Sequence, residues 1–211
     1  MPIKEVTTNL YEISLGVVNA HLIDQPDALI LIDTGSPGDD AKIAAALAEL
    51  GRSPADLTHI IVTHCHADHA GSLAALQRHS NAVTIMHGED AALVKQGRSL
   101  RTLTPAPGLL PKLLFRLFIA STPATIEPAR VDRTVADGEL LPLAGGLRVI
   151  HAPGHSAGQI ALLWKERGVL FAADAVANMP RLGYSLGYED FVLGRETAAR
   201  LGSFDFATAC F

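Results

Sequence analysis

Four potential metal ligands lie within six positions of the chain, at His64, His66, Asp68 and His69. They directly follow the apolar residues 57–62, a run that is typical of a buried strand. Imidazole and carboxylate groups are the usual ligands of zinc and similar divalent ions. Buried histidines so close together would repel one another when protonated, unless a cation replaced the protons. The cluster therefore predicts a metal site at the end of a strand.

The spacing of this cluster favours a loop over a helix as the carrier of the ligands. Helical zinc motifs place two histidines four positions apart, whereas His64 and His66 are two apart and share one side of an extended segment. Asp68 has the same parity, and His69 is expected to begin the following helix. The ligands then divide into two sets, which indicates a centre for two ions.

Two distant residues complete the candidate site. His155, within the sequence Ala-Pro-Gly-His-Ser, and Asp174 each follow an apolar strand-like run, as His64 does. Loops at a common edge of the sheets would bring these positions together, as rigid scaffolds commonly do for chemical groups. The predicted metal ligands are thus His64, His66, Asp68, His69, His155 and Asp174.

The segments that position these residues are mostly strands. Alternating or continuous apolar runs predict strands at 4–15, 18–24, 29–32, 57–62, 83–86, 140–150, 159–164 and 168–173. A turn at 36–40 is predicted to open a helix that runs to Leu50 and ends at Gly51, and a second helix is predicted at 72–78. Residues 97–130 differ, because Pro and Thr accompany apolar residues at helical spacing. They are expected to form either an inserted helix or lid, or an ordinary amphipathic helix packed on the core.

Composition limits the class of protein. The 211 residues, 48% of them hydrophobic, predict a single domain over 1–211 with one sizeable core. The net charge of −5 and the scattered basic residues argue against nucleic acid as a partner. No apolar run is long enough for a membrane span. The lack of a signal-peptide pattern and the two cysteines favour a cytoplasmic location. The oligomeric state is left open.

The His-Cys-His-Ala-Asp-His run, Pro-Gly-His at 153–155 and Asp174 together resemble the metallo-β-lactamase superfamily, over nearly the whole chain. The resemblance implies an α+β fold, a four-layer αββα sandwich. It also implies a metal-dependent hydrolase with two divalent ions, zinc with manganese or iron as alternatives. A hydroxide bridging the ions would cleave a small ester-like substrate, with a thioester or a lactone favoured.

The resemblance also implies a role for each ligand. His64, His66 and His155 would bind the first ion, Asp68 and His69 the second, and Asp174 would bridge them. Asp68 would also orient the hydroxide and is the expected catalytic residue. The family commonly adds one more histidine after a late strand. Residues 204–211 look like that strand, so we expect the final ligand to follow Phe211. Without it, the second ion would have only Asp68, His69 and Asp174, and a single bound ion is the expected alternative.

Two other functions compete with a hydrolase. The first motif also resembles the persulfide dioxygenases, whose single iron is bound by two histidines and an aspartate, so a mono-iron oxidoreductase is the alternative. The Gly, Cys, Arg and Asp run expected after Asp174 in those enzymes is replaced here by residues 175–180. A purely structural metal site is disfavoured, because such sites are closed cages of four ligands.

Residues outside the constellation are expected to have ordinary roles. His21, His59, His79 and His87 are interpreted as surface or hydrogen-bonded residues, since none has ligand spacing with a partner. Tyr184 and Tyr188 are interpreted as surface residues of a loop. Asp33 either supports a metal ligand or simply ends a strand.

Overall fold

The computed structural model describes residues 3–119, 122–178 and 181–211. The strands are β1 Ile3–Thr7, β2 Leu10–Ser14, β3 Asn19–Gln25, β4 Ala28–Ile32, β5 His59–Ile61, β6 Val83–His87, β7 Thr104–Pro105, β8 Arg133–Val135, β9 Leu140–Leu141, β10 Leu147–His151, β11 Ile160–Trp164, β12 Val169–Phe171, β13 Ala177–Asn178, β14 Leu182–Gly183, β15 Gly187–Tyr188 and β16 Thr208–Cys210. The helices are α1 Asp40–Glu49, α2 Ala67–Ala70, α3 Leu73–Gln77, α4 Gly88–Val94, α5 Leu109–Leu114 and α6 Phe191–Leu201, with a π-helical turn at Phe115–Ile119.

Two large sheets dominate the structure. The first has the order β1-β2-β3-β4-β5-β6-β8, antiparallel from β1 to β4 and parallel from β4 to β8. The second has the order β16-β12-β11-β10-β9, antiparallel except for the pair β12–β16. Two smaller pairs, β13–β14 and β7–β15, lie outside them. The parallel centre of the first sheet and the meander of the second determine where the loops converge.

Side-chain alternation along the strands creates three apolar layers. In β4, Leu29 and Leu31 pack with helices α1, α3 and α4, while Ile30 and Ile32 face the second sheet. In β11, Leu162 points to the first sheet and Leu163 to the cluster that contains Leu201 of α6. Successive strand residues point to opposite faces, so each sheet is covered on both sides. The predicted αββα sandwich is confirmed.

Two predicted strands are wrong in extent. The run 4–15 is divided into β1 and β2 by a turn at Asn9, whose φ of 64° is left-handed. The run 140–150 is divided into β9 and β10 by a turn in which Ala144, Gly145 and Gly146 all have positive φ. Positive φ is incompatible with a continuing strand. The turn signal of Gly145 and Gly146 is present in the sequence and is confirmed, but the predicted strand was drawn through it, whereas apolar alternation on both sides of Asn9 concealed the first turn.

The helical spacing near residue 109 does form a helix, α5 with its π-helical turn. None of its side chains is buried, so the expectation of a helix packed on the core is wrong. No helix in the described ranges is long and apolar enough to cross a membrane.

Candidate metal centre

The candidate ligands lie in loops that follow three strands. His64 and His66 follow β5, His155 follows β10, and Asp174 follows β12. Both β10 and β12 pair antiparallel with β11, so they run in the same direction and end at the same edge. The amide of Ile160 donates to the carbonyl of Thr63 over 2.9 Å and joins this edge to the first sheet. Sheet topology therefore brings together loops that are distant in sequence.

Five of the six predicted ligands form two overlapping groups. In each group the ligand atoms lie within 4.8 Å of one another; one group is His64, His66 and His155, and the other is His64, His69 and Asp174. The two carboxylate oxygens of Asp174 lie 3.3 Å from His69 Nε2 and 3.4 Å from His155 Nε2. Asp174 therefore contacts one member of each group.

The donor atoms of these groups fit a divalent cation. The Nε2 atoms of His64, His66 and His69 are buried and lack a hydrogen-bond partner in the described part of the chain. A buried polar atom without a partner is costly, and nearly all such atoms in proteins are satisfied. A cation bound by these nitrogens removes that cost, and three imidazoles with a carboxylate are suitable ligands for zinc-like ions.

Burial keeps two of the histidines neutral and ready to bind a cation. It lowers the pKa of His64 and of His66 well below the ordinary value of 6.5, and the neighbouring imidazoles lower both further. A neutral imidazole offers the lone pair that a metal requires. These side chains therefore favour a metal ion over a proton.

On the acidic side of the centre, His69 and Asp174 favour their charged forms. Burial opposes charge on His69, but Asp33 and Asp174 raise its pKa well above the ordinary value. Burial also opposes charge on Asp174, but His69 and His155 hold the pKa of its carboxyl well below the usual range. In the metal-free protein a proton on His69 thus balances the carboxylates, and binding of a cation there would release it.

Comparison with known proteins agrees with this geometry. The family model described as the metallo-beta-lactamase superfamily matches residues 13–199. The chain belongs to this superfamily. The fold resembles that of BJP-1, a subclass B3 metallo-beta-lactamase of Bradyrhizobium japonicum, with a TM-score of 0.75, 24% identity and coverage of 99% of this chain and 76% of that one.

Curated relatives of this superfamily member come from several organisms. The uncharacterized protein YobT of Bacillus subtilis (strain 168) is 33% identical over 77% of this chain and 63% of its own length. Hydroxyacylglutathione hydrolase of Rhodopseudomonas palustris (strain BisB18) is 27% identical over 67% of this chain and 42% of its own length. The acyl-coenzyme A thioesterase MBLAC2 of Bos taurus is 33% identical over 55% of this chain and 40% of its own length. The chain thus spans between 40% and 63% of the length of these relatives.

The sixth predicted ligand, Asp68, has a different setting. Helix α2 begins at Ala67, within the histidine-rich motif, and His66 is its N-cap. The expectation that this helix begins at His69 is therefore wrong. Asp68 lies within the helix rather than on an extended segment. Its side chain is half-buried and belongs to neither ligand group.

Asp33 supports a member of the second group. His69 Nδ1 donates to Asp33 Oδ2 over 2.9 Å, and the same carboxylate accepts from the amide and the hydroxyl of Thr63. Asp33 adopts φ 63°, a conformation that costs a residue with a side chain about 1 kcal/mol or more. Of the two predicted roles, the contact with His69 Nδ1 favours support of a candidate ligand. With Nδ1 held by Asp33, Nε2 of His69 faces Asp174 and is the atom that would bind a metal.

His155 is fixed in the same manner by a backbone group. Its Nδ1 donates to the carbonyl of Gly187 over 2.8 Å. Gly187 pairs with Pro105, so the start of the unusual segment 97–130 lies beside this ligand. An added Cβ at Gly187 would lie 2.9 Å from the ring of Phe115. The segment therefore contacts the backbone that orients His155.

Sequence reasoning missed Asp90, which holds two ligand loops together. Its carboxylate is fully buried and accepts from the amide of Cys65 over 3.0 Å and from the hydroxyl of Ser156 over 2.7 Å. It also accepts from the amide of Gly158 over 3.1 Å. Asp90 stands in the first turn of α4, where acidic residues are common at the surface, so no local signal distinguished it.

Outside the centre, two residues depart from expectation and two agree with it. His21 is buried with Nε2 lacking a partner among the described atoms, so its surface interpretation is wrong. Tyr188 is fully buried and its hydroxyl accepts from the amide of Ser185 over 2.8 Å, whereas Tyr184 is exposed as expected. His87 accepts from the amide of Glu89, as a hydrogen-bonded residue should.

Proposed function

We propose that this protein is a metal-dependent hydrolase that cleaves a small ester-like substrate, with an acyl thioester favoured and a lactone next. The observation that carries the proposal is the pair of buried ligand groups that share His64 and are linked by the carboxylate of Asp174. Structural zinc sites are closed cages of four ligands, whereas the five residues of these two groups would leave positions for water or substrate on two ions.

One ion would lie at each group, and His64, which belongs to both groups, is assigned to the first. His64, His66 and His155 would bind the first ion, His69 would bind the second, and Asp174 would serve both. Zinc is favoured by the nitrogen-rich ligands, and manganese or iron is compatible because metal availability influences loading. A divalent ion bound there would lower the pKa of a water molecule and polarise the substrate's carbonyl oxygen.

The chain's own residues would prepare the reaction. Asp33 holds His69 through Nδ1, and Gly187 holds His155 in the same way, so both present Nε2 to the centre. Asp68, half-buried beside His69, is proposed to orient the attacking water.

The substrate class is supported by the relatives' names and by the surface near the centre. One relative is named an acyl-coenzyme A thioesterase and another a hydroxyacylglutathione hydrolase. The neighbouring helix α5 is apolar and exposed, which suits a substrate with a hydrocarbon portion. Since one metal site of this kind serves many reactions, the substrate must be tested directly.

Metal analysis of the purified protein tests the first part of the proposal. We expect two equivalents of zinc or manganese per chain, falling to about one in His155→Ala and in His69→Ala. His79→Ala is the matched control, because His79 is exposed and outside both groups. A single equivalent of iron, with oxygen consumed in the presence of a persulfide, would instead establish the dioxygenase alternative.

Turnover assays test the second part. We expect release of free thiol from short and medium acyl thioesters by the metal-loaded protein, and a loss of 10²-fold or more in kcat for Asp68→Asn with two metal equivalents retained. Full metal loading without hydrolysis of any thioester or lactone would contradict the proposed activity.

A further inference from the structure

Helix α5 and the π-helical turn after it form an unusual apolar surface. Their eleven residues, Leu109–Ile119, are all apolar except Lys112 and Arg116, and none is buried. Five of the twelve large hydrophobic side chains that are exposed in the described ranges lie here: Leu109, Leu110, Leu113, Leu117 and Phe118. Contiguous exposed apolar surface of this kind generally marks an interaction site.

The sequence around this segment is basic, whereas the rest of the chain is acidic. One of its basic residues, Arg101, is paired with Asp90 and Glu189, and the others form no ion pair within the described ranges. Residues 91–126 contain five basic residues and no Asp or Glu, within a chain of net charge −5. Lys112 and Arg116 are exposed, and neither forms an ion pair with any residue that the structure describes. The partner of this surface should therefore be both apolar and anionic.

We propose that the segment Leu109–Ile119 docks onto an anionic lipid bilayer. Leu and Phe side chains interspersed with Lys and Arg are the composition of helices that lie in the membrane interface. Anionic head groups would attract Lys112 and Arg116 while the leucines and Phe118 enter the acyl boundary. The bilayer covers the exposed apolar residues without requiring a groove.

A second copy of the chain is a less suitable partner. In a twofold dimer the same surface meets itself, so two Lys112 and two Arg116 side chains would come together. Residues 91–126 offer no carboxylate to balance them. Lipid head groups supply the missing negative charge, whereas a second copy repeats the positive charge.

Docking at this segment would also place the metal centre close to the lipid surface. Phe115, within the segment, approaches Gly187, whose carbonyl accepts from His155. A substrate with an acyl chain would be concentrated in the same bilayer. Lipid binding itself does not depend on the proposed hydrolysis and is measured without a substrate.

Vesicle co-sedimentation tests the proposal. We expect the whole protein to bind large unilamellar vesicles of 30% phosphatidylglycerol in phosphatidylcholine, and to bind pure phosphatidylcholine far more weakly. The variant Lys112→Gln/Arg116→Gln should lose roughly 30-fold in affinity, since each basic residue near an anionic surface contributes about fivefold. Leu113→Ser/Leu117→Ser/Phe118→Ser should lose at least about tenfold, because it removes the apolar contact.

The control is Val17→Ser/Leu140→Ser, which removes two exposed apolar side chains elsewhere and should bind as the wild type does. A tryptophan at position 113 adds a second readout, because the single native Trp164 is buried and its emission should stay constant. The Leu113→Trp emission should shift to shorter wavelength on anionic vesicles.

Three results would overturn the proposal. The first is that the wild type does not bind anionic vesicles. The second is that Val17→Ser/Leu140→Ser lowers the vesicle affinity as much as the triple serine variant does. The third is that the wild type is a dimer in light scattering, does not bind vesicles, and becomes a monomer in the triple serine variant. The last result would assign the surface to a second copy of the chain.

Discussion

Arg101 Nη1 donates to the buried Oδ1 of Asp90 over 2.6 Å. The same nitrogen lies 3.2 Å from Glu189, and Nη2 donates to the carbonyl of Glu89 over 2.7 Å. Arg101 belongs to the segment 97–130, whereas Asp90 accepts from the amides and hydroxyl of the loops that carry His64, His66 and His155. One ion pair thus connects the inserted segment to both histidine loops.

Loss of Arg101 should destabilise the protein strongly. Arg101→Gln leaves the fully buried Asp90 carboxylate without its cation, and breaking such a pair typically costs about 3 kcal/mol or more. The double variant Asp90→Asn/Arg101→Gln should recover part of this loss, because no charge remains buried. Urea unfolding of the single and double variants measures the difference. Equal stability of wild type and Arg101→Gln would refute the importance of the pair.

Replacing Asp33 should weaken the ion bound by His69 more than the ion bound by His66 and His155. Asp33→Asn keeps the left-handed backbone, which Asn tolerates, but it removes the carboxylate that accepts from His69 Nδ1. Removal of such a supporting group typically lowers metal affinity 10–100-fold. In competition with a chromophoric chelator, the affinity for the ion bound by His69 should fall, while the affinity for the other ion should change much less. Equal weakening of both ions would contradict the assignment of His69 to a separate group.

The loop that carries His155 should not tolerate a side chain at Gly154. Gly154 has φ 129°, and an added Cβ would lie 2.3 Å from the backbone of Gly194 in α6. Gly154→Ala should therefore cost about 3 kcal/mol of stability, as overpacking and backbone strain add together. Gly88→Ala is the control, because Gly88 has open space and should change stability by less than about 0.5 kcal/mol. Thermal or urea unfolding of both variants provides the comparison.

His21 should make stability depend on pH. Burial lowers its pKa from 6.5 to about 4, so the unfolded chain binds a proton that the folded protein does not. Its contribution is complete above pH 6.5 and decreases as the pH falls toward 4. Between pH 7 and pH 5 it should account for about 2 kcal/mol of lost stability.

The measurement uses chelator-treated protein, so that metal release does not add to the change. His21→Phe keeps an aromatic ring against Phe171 but cannot be protonated. Its unfolding free energy should decrease less between pH 7 and pH 5 than that of the wild type. The same decrease in both proteins would show that His21 is already protonated or solvated in the folded state.

Residue types and their local spacing were sufficient to predict much of this protein. The ligand candidates could be found because four of them lie within six positions, and two more follow similar apolar runs. Strands and helices could be predicted because side-chain periodicity is local. The turn at Asn9 was missed, since a single left-handed residue leaves no mark on apolar alternation, whereas the turn at 144–146 could be recognised from Gly145 and Gly146.

Only the tertiary structure decided which residues meet. His66 and His155 are 89 positions apart and Asp90 and Ser156 are 66 apart, so their contacts depend on strand order and register. The same applies to His64 as the ligand shared by both groups and to Asp33 as the acceptor of His69. The exposure of α5 could not be predicted either, because apolar periodicity indicates a helix but not what its apolar side chains contact. Local sequence fixes backbone preference and chemical type, whereas contacts between distant residues arise only when the sheets pair and pack.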